Sequence, residues 1–170
     1  MFYRLKQLFK ALFGKVELHE YSWLERVLTP DELALFCKQT LTEQRHALDV
    51  ANDILNHKAD IEKVYGSNVY DDLLLAALLH DCGKSLIKLH LWQRIIIATF
   101  GYLPSKLREK IVNNNNFLSK TLIIYKQHPA WGKWLASKAK MNENIQELIL
   151  NHHTPGNQLE QLLYEADNRH

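Results

Sequence analysis

The sequence has few cysteines, no long apolar run and little net charge. Cys37 and Cys82 are the only cysteines among its 170 residues. Because a chain of this length needs no disulfide, we expect a reducing, cytoplasmic compartment. No apolar run reaches the roughly 18 to 20 residues that a transmembrane helix requires. The 21 Lys and Arg residues exceed the 19 Asp and Glu residues by two, which argues against binding to a nucleic acid duplex.

Strand-like alternation is also scarce, whereas apolar residues recur at helical spacing along the whole chain. The sequence therefore predicts an all-α fold, a single-domain helical bundle. We assign residues 1–28 to an N-terminal amphipathic helical segment and residues 29–170 to the main domain. Residues 1–15 interleave basic and apolar side chains, which is typical of a helix that packs on the protein's own core or on a partner. Peripheral docking on an anionic membrane surface is the alternative.

Several helix boundaries can be predicted from capping residues. Asp71 is expected to cap a short apolar helix over residues 73–79, which Gly83 ends. Pro129 is expected to occupy the first position of a helix that runs to about Ala139, so that His128 lies at its cap. The other predicted helices begin near Thr29, Thr42, Asn142 or Asn144, and Gln158, and one or two more cover residues 86–100. The four asparagines at 113–116 are interpreted as a loop.

Histidine, in contrast, is abundant, with nine residues in the chain. Five of them and two aspartates lie at predicted helix ends or on apolar helix faces: His46, His80, Asp81, His128, His152, His153 and Asp167. Placing an imidazole and a carboxylate at the end of a buried helix is costly unless they are paired or ligated. Helical bundles build metal sites from side chains in such positions, so the pattern indicates a metal centre.

The order of these residues resembles a known family. His46, the segment His80-Asp81-Cys82-Gly83-Lys84, the segment His128-Pro129-Ala130-Trp131-Gly132, the pair His152-His153 and Ala166-Asp167 resemble the HD-domain metal-dependent phosphohydrolase superfamily. The resemblance is closest to its small bacterial HDIG subgroup and covers about residues 42–168. An isolated His-Asp dipeptide is weak evidence, but the complete ordered set is specific.

This resemblance implies a dinuclear metal site with Asp81 shared by both ions. One ion would be held by His46, His80, Asp81 and Asp167, and the other by Asp81, His128, His152 and His153. The resemblance favours iron or manganese, and nickel, cobalt or zinc would also suit these donors. Thr42 stands where some trinuclear relatives carry a glutamate, so a third ion is not expected. No Gly-Tyr-Pro signature follows His153, which argues against cyclic-di-GMP as the substrate.

The implied activity is hydrolysis of a phosphate ester by a hydroxide that bridges the two metals. The predicted catalytic residues are Asp81, which both ions would share, and Lys84. Lys84 lies just after Gly83, where it can neutralise a substrate phosphate. The site would carry positive charge and attract a small anion, which suits a phosphate ester. The expected substrate is a nucleotide: a phosphomonoester, a cyclic nucleotide or a dinucleoside polyphosphate.

For several other residues, a role in substrate binding can be proposed, but an ordinary surface or core position explains the residue as well. Arg45 and Arg169 flank predicted ligands and are candidates for phosphate contacts, although solvated surface arginine is the default. Trp131 is a candidate for stacking on a base, although Trp131 and Trp134 are better interpreted as core residues. Cys82 is expected to be a small buried hydrophobic residue.

Two functions of other classes stay open. A mixed-valent di-iron oxygenase would use the same ligand set on the same scaffold. A non-catalytic module would sense a nucleotide through a retained site, although the complete ligand set speaks against it.

Overall fold

The computed structural model of the protein describes residues 15–86, 104, 106, 109–110 and 117–170. The helices within the two long ranges are α1 (Leu18–Val27), α2 (Pro30–Lys38), α3 (Leu41–Asn56), α4 (Lys58–Tyr65), α5 (Ser67–Leu79), α6 (Phe117–Lys138), α7 (Glu143–Asn151) and α8 (Gln158–Arg169), with a 3-10 helix at Cys82–Leu86. The described residues contain no strand, and the predicted all-α fold is confirmed. The predictions for residues 1–14, for the helix over residues 87–100 and for the asparagine loop lie outside the described residues.

Capping side chains begin several of these helices, as their sequences indicate. The side-chain oxygens of Thr29 and Asn142 accept hydrogen bonds from the backbone N–H groups three residues later. Thr40 does the same for Glu43, and the Glu43 carboxylate accepts from the Thr40 N–H in return, a reciprocal arrangement that satisfies two end groups of α3. The predicted start of α3 at Thr42 is therefore two residues too late.

Helix α5 lies at the centre of the bundle and packs against α3, α4, α7 and α8. It begins at Ser67, immediately after Gly66, whose φ of 88° is a conformation that favours glycine. The predicted cap at Asp71 is wrong, because the residue that caps the helix is Gly66, five residues earlier. The apolar face of α5 is almost wholly buried, so the helix delivers His80 and Asp81 into the interior.

Two glycines allow α6 to approach the 3-10 helix and α7 unusually closely. A Cβ atom added to Gly83 would lie 2.0 Å from the carbonyl oxygen of His128 and 2.6 Å from the backbone nitrogen of Gly132. A Cβ on Gly132 would lie 2.7 Å from Cγ2 of Ile149 on α7. The prediction that Gly83 ends a helix is wrong, because α5 ends at Leu79. The role of Gly83 is to permit close contact between two backbones.

Pro129 lies inside α6 rather than at its start, so the predicted cap position of His128 is wrong. Proline has no N–H to donate, and a helix that contains it forgoes one backbone hydrogen bond. Here the close packing of α6 on the 3-10 helix and on α7 outweighs that loss. His128 consequently points into the protein from the middle of a long helix and is fully buried.

Within the described part of the chain, no helix combines the length and the apolar character needed to cross a membrane.

Candidate metal centre

His80 and His152 are held in the same way at the ends of two different helices. Nδ1 of His80 lies 2.9 Å from the carbonyl oxygen of Ala77, and Nδ1 of His152 lies 2.7 Å from that of Ile149. A carbonyl oxygen can only accept, so each Nδ1 carries the proton that it donates. In the neutral ring the lone pair is then on Nε2, which is the arrangement usual for metal-binding histidines.

The first candidate group consists of His46 on α3, His80 and Asp167 on α8. One potential ligand atom from each lies within 4.8 Å of the other two. Nε2 of His46 is 2.8 Å from Oδ1 of Asp167, and Nε2 of His80 is 3.6 Å from the same oxygen. Three distant parts of the sequence, on three elements, are thus brought to one point.

The second candidate group consists of His128, His152 and His153, with the same 4.8 Å limit between ligand atoms. Nε2 of His128 and Nε2 of His152 are only 3.2 Å apart. Two nitrogens bound to one transition metal at about 2.1 Å would be about 3.0 to 3.4 Å apart for angles of 90° to 110°. The spacing of these rings therefore suits a shared ion.

The carboxylate of Asp81 lies between the two groups. Its Oδ1 is 3.1 Å from Nε2 of His128 and 3.8 Å from Nε2 of His152. Its Oδ2 is 3.7 Å from Nε2 of His80. One oxygen therefore faces the second group and the other faces the first, which brings all seven predicted ligands into a single cluster.

The cluster is fully buried on one side and less buried on the other. The side chains of His80, Asp81, His128 and His152 are at most 3% exposed. Those of His46, Asp167, Lys84 and His153 are 13% to 33% exposed. These four residues define the less buried side of the cluster.

Burial and close charges shift the pKa values of the cluster in opposite directions. Burial lowers the pKa of His80, but the carboxylates of Asp81 and Asp167 outweigh that effect and raise it to about 9. Burial raises the pKa of Asp167, but the hydrogen bond with His46 and the nearby charge of His80 hold it well below its usual range. The first group is therefore held together by ion pairs in the absence of metal.

The second group is electrically different. Burial, together with neighbouring imidazoles, lowers the pKa of His152 well below its ordinary value, and burial lowers that of His153 to about 4. Near neutral pH both rings are neutral and each offers a lone pair. Neutral imidazoles are the form in which histidine binds metal.

An unsatisfied nitrogen also fits an ion. Nε2 of His80 is buried and makes no hydrogen bond with any residue in the described ranges. Oδ1 of Asp167 and Oδ2 of Asp81 lie 3.6 and 3.7 Å from it, which is too far for a hydrogen bond but close to the separation of two ligands on one metal. The donors present thus suit a divalent transition metal.

Lys84 contacts the shared carboxylate directly. Its Nζ lies 2.5 Å from Oδ2 of Asp81, and its side chain is 19% exposed. Burial lowers the pKa of Lys84, but the Asp81 carboxylate outweighs this and raises it, so the side chain is an ammonium ion. The structure therefore places the predicted phosphate-binding lysine at the edge of the cluster, paired with a predicted ligand.

The arginines proposed to contact phosphate have carboxylate partners of their own. Arg45 is paired with Glu20 at 2.7 Å and with Asp49 at 2.9 Å. Its side chain is only 11% exposed, so the default interpretation as a solvated arginine is wrong. Arg169 donates from Nε to Asp53 over 2.9 Å. A contact from either arginine to a substrate would require these ion pairs to open.

The two tryptophans differ in environment. Trp131 is half-buried, three residues after His128 on α6. The interpretation of Trp134 as a core residue is wrong, because it is 53% exposed. The buried face of α6 is formed by its neighbours, Gly132, Leu135 and Ala136, and the Trp134 ring instead lies 5.8 Å from Nζ of Lys138.

Cys82 behaves as predicted. It is fully buried, and burial together with the Asp81 charge raises the pKa of its thiol to about 12, so it is an uncharged small side chain.

Glu160 is a positioning residue that the sequence did not reveal. Its carboxylate accepts hydrogen bonds from the side chain of Asn151 at 2.8 Å and from the N–H of Gly156 at 2.6 Å. It thereby fastens the loop that follows the His152-His153 pair. The Asn157 cap three residues earlier predicts the backbone position of Glu160, but nothing in the pattern predicts that its side chain turns back to the loop.

The family comparison agrees with this geometry. The HD domain family model matches residues 44–170, well over half of the 170-residue chain. The protein therefore belongs to the HD domain family, most of whose superfamily members are metal-dependent phosphohydrolases. No curated protein and no solved structure matches this chain.

Proposed function

We propose that the protein is a phosphohydrolase that works with two divalent metal ions. The observation that carries this proposal is the position of Asp81, whose two carboxylate oxygens face the two candidate groups. A single buried residue common to both groups favours one composite site over two unrelated ones. Membership of the HD family supports the same conclusion.

Each group would hold one ion. His46, His80 and Asp167 would bind the first, His128, His152 and His153 the second, and Asp81 both. Ions bound there would supply a Lewis acid for a phosphoryl oxygen and would lower the pKa of a bound water. Nitrogen and oxygen donors without a thiolate suit iron or manganese, and also nickel, cobalt or zinc.

The protein's own part in this reaction is to fix the ligands and to attract an anion. The backbone carbonyls of Ala77 and Ile149 keep His80 and His152 in the tautomer that binds metal. Two divalent ions contribute four positive charges, and the carboxylates of Asp81 and Asp167 offset two of them, so the site favours a phosphate. Lys84 would hold that phosphate as a point charge.

A nucleotide is the substrate that the surroundings favour most. Trp131 follows His128 by three residues, about one helical turn, and is partly accessible, and its indole would stack on the base. Phosphomonoesters, cyclic nucleotides and dinucleoside polyphosphates all combine a base with a phosphate of the required charge.

A substrate panel tests the proposal. Purified protein, stripped of metal and reloaded with manganese or iron, would be assayed against these three nucleotide classes and against p-nitrophenyl phosphate. We expect phosphate release that depends on added metal and falls at least about a hundredfold in Asp81→Asn. His57→Asn is the matched control and should leave the rate unchanged, because His57 is exposed at the C-terminal end of α3 and hydrogen-bonds to the Asp53 carbonyl.

Two results would contradict the proposal. One is the absence of hydrolysis of every ester with each metal. The other is dioxygen uptake coupled to substrate loss in the iron-loaded protein, which would favour oxygenase chemistry on the same ligands.

A further inference from the structure

The ammonium group of Lys84 lies on one oxygen of the carboxylate that both groups share. Nζ of Lys84 is 2.5 Å from Oδ2 of Asp81, and this is the oxygen that faces His80. Oδ1 faces His128 and His152 instead. The two oxygens of Asp81 are therefore not equivalent: one has a cation of the protein itself beside it, and the other has imidazole nitrogens.

The environment strengthens the pair between Lys84 and Asp81. The Asp81 side chain is 3% exposed and that of Lys84 is 19% exposed, so water screens their attraction much less than at the surface. Hydrogen bonds between ionised groups are also stronger than neutral ones. Any cation that is to use Oδ2 as a ligand must replace a bond that is already strong.

The first group contains a second such internal bond. Nε2 of His46 is 2.8 Å from Oδ1 of Asp167, so two of its potential ligand atoms are engaged with each other. In the second group, Nε2 of His128 lies 3.2 Å from Nε2 of His152 and 3.1 Å from Oδ1 of Asp81. An ion that enters the second group approaches Oδ1 and does not have to displace Lys84 from Oδ2.

We propose that Lys84 and the metal ion of the His46 group compete for Oδ2 of Asp81, so that the three-histidine group fills first. This inference rests on the two-ion site proposed above. When the later ion binds to the His46 group, it displaces Lys84 from Oδ2. The charge of Lys84 then becomes available on the less buried side of the site. The lysine that would hold the substrate phosphate is thus released only when both ions are present.

A stepwise metal titration tests the order of filling. Metal-free protein would be titrated with Mn²⁺ against a competing chelator, in parallel with Lys84→Met and Lys84→Arg. We expect Lys84→Met to bind the weaker ion about tenfold or more tightly and the stronger ion within about twofold of the natural protein. Lys84→Arg keeps the charge and should bind both ions with the affinities of the natural protein.

The matched control is Lys58→Met. Lys58 pairs with Glu62 at 3.6 Å on the exposed surface of α4, so its replacement removes the same charge away from the site. Both affinities should stay unchanged in this variant. Equal tightening in Lys58→Met and Lys84→Met would overturn the inference, because the effect would then come from net charge.

A measurement on the natural protein does not depend on the folding of any variant. Lysine acylation by a water-soluble ester, mapped by mass spectrometry, would be followed at zero, one and two equivalents of Mn²⁺. Lys84 should react slowly up to one equivalent and at least about fivefold faster at two, because its amine leaves the ion pair. Lys58 should react at the same rate throughout.

The outcomes separate this inference from the proposed function. The inference would be overturned if the natural protein binds two ions and Lys84→Met binds the weaker ion no more tightly than the natural protein does. That result would leave the two-ion site intact. Binding of one ion or none by the natural protein would overturn both.

Discussion

Oδ1 of Asp81 lies 3.1 Å from Nε2 of His128, although the two residues belong to different elements and Pro129 follows His128 directly. The contact depends on α6 passing close to the 3-10 helix, and that approach depends on Gly83. Backbone packing and the candidate metal site are therefore linked, which makes the site sensitive to changes that touch no ligand.

The first prediction concerns Gly83→Ala. A Cβ at this position would lie 2.0 Å from the carbonyl oxygen of His128, so α6 has to move away. We expect the free energy of unfolding to fall by about 3 kcal/mol, together with weaker metal binding by the three-histidine group. Chemical denaturation and metal titration measure the two effects.

Gly156→Ala is the control for that substitution. Its added Cβ would meet only Oε2 of Glu160, at an ordinary 3.4 Å, and we expect a change within about 0.5 kcal/mol. Equal stability of the two alanine variants would show that the close approach at Gly83 is not required.

The second prediction concerns the end of α6. Lys140 has a φ of 59°, and the N–H groups of Lys140 and Met141 bond to the carbonyls of Ser137 and Ala136. This is the helix-ending motif in which glycine usually occupies the left-handed position. Lys140→Gly should therefore raise the free energy of unfolding by about 0.5 to 1 kcal/mol.

Lys126→Gly provides the opposite case on the same helix. Lys126 is exposed within the helix, and glycine there should lower the free energy of unfolding by about 1 kcal/mol. If denaturation showed Lys140→Gly to be as destabilising as Lys126→Gly, the left-handed conformation of Lys140 would be refuted.

The third prediction concerns pH and metal binding. Because the pKa of His80 is raised to about 9, its ring carries a proton at pH 7 that a metal ion has to displace. The apparent affinity of the His46 group should rise about tenfold per pH unit from pH 7 to 9 and then level off. Calorimetric titration in buffers of different ionisation enthalpy counts the protons released; a level affinity above pH 7 would contradict the assignment.

The same proton affects the stability of the metal-free protein. The pKa of His80 is 6.5 in the unfolded reference and about 9 in the fold. Its contribution is therefore complete below pH 6.5 and is lost as the pH rises through about 9. Thermal unfolding of metal-free protein should show this decline, and His80→Gln should reduce it.

The fourth prediction concerns Glu160→Gln. The Glu160 carboxylate accepts two hydrogen bonds that fasten the loop after His153, and an amide has only one oxygen to accept with. We expect metal affinity at the three-histidine group to fall about tenfold, with the His46 group unaffected. Glu165→Gln, on the exposed face of α8, is the control; equal effects in both variants would contradict a positioning role.

The sequence could predict which histidines and aspartates come together because the signals for them are local. Burying a histidine or an aspartate at the end of an apolar helix costs free energy unless the side chain is paired or binds a metal. The His80-Asp81 pair follows a wholly buried stretch of α5, and the structure does bring it together with His46 and His128. The capping residue Thr29 is equally local, since its hydrogen bond spans three residues.

Features that depend on tertiary packing could not be predicted in this way. Pro129 and Asp71 carry strong local signals for helix starts, yet both lie inside helices whose packing outweighs those signals. Gly83 was predicted to end a helix, and only the position of the His128 carbonyl explains its role. Likewise, the ion pair between Arg45 and Glu20 joins α3 to α1, and no spacing within either helix indicates it.

The most direct test of the two-ion account is the metal content of the natural protein and of three variants. Elemental analysis of protein saturated with Mn²⁺ and freed of excess ion would be made beside His46→Ala, His128→Ala and Asp81→Ala. The account predicts about two ions per chain in the natural protein, about one in each histidine variant and fewer than one in Asp81→Ala. One ion in the natural protein, retained when His128 is replaced, would contradict it.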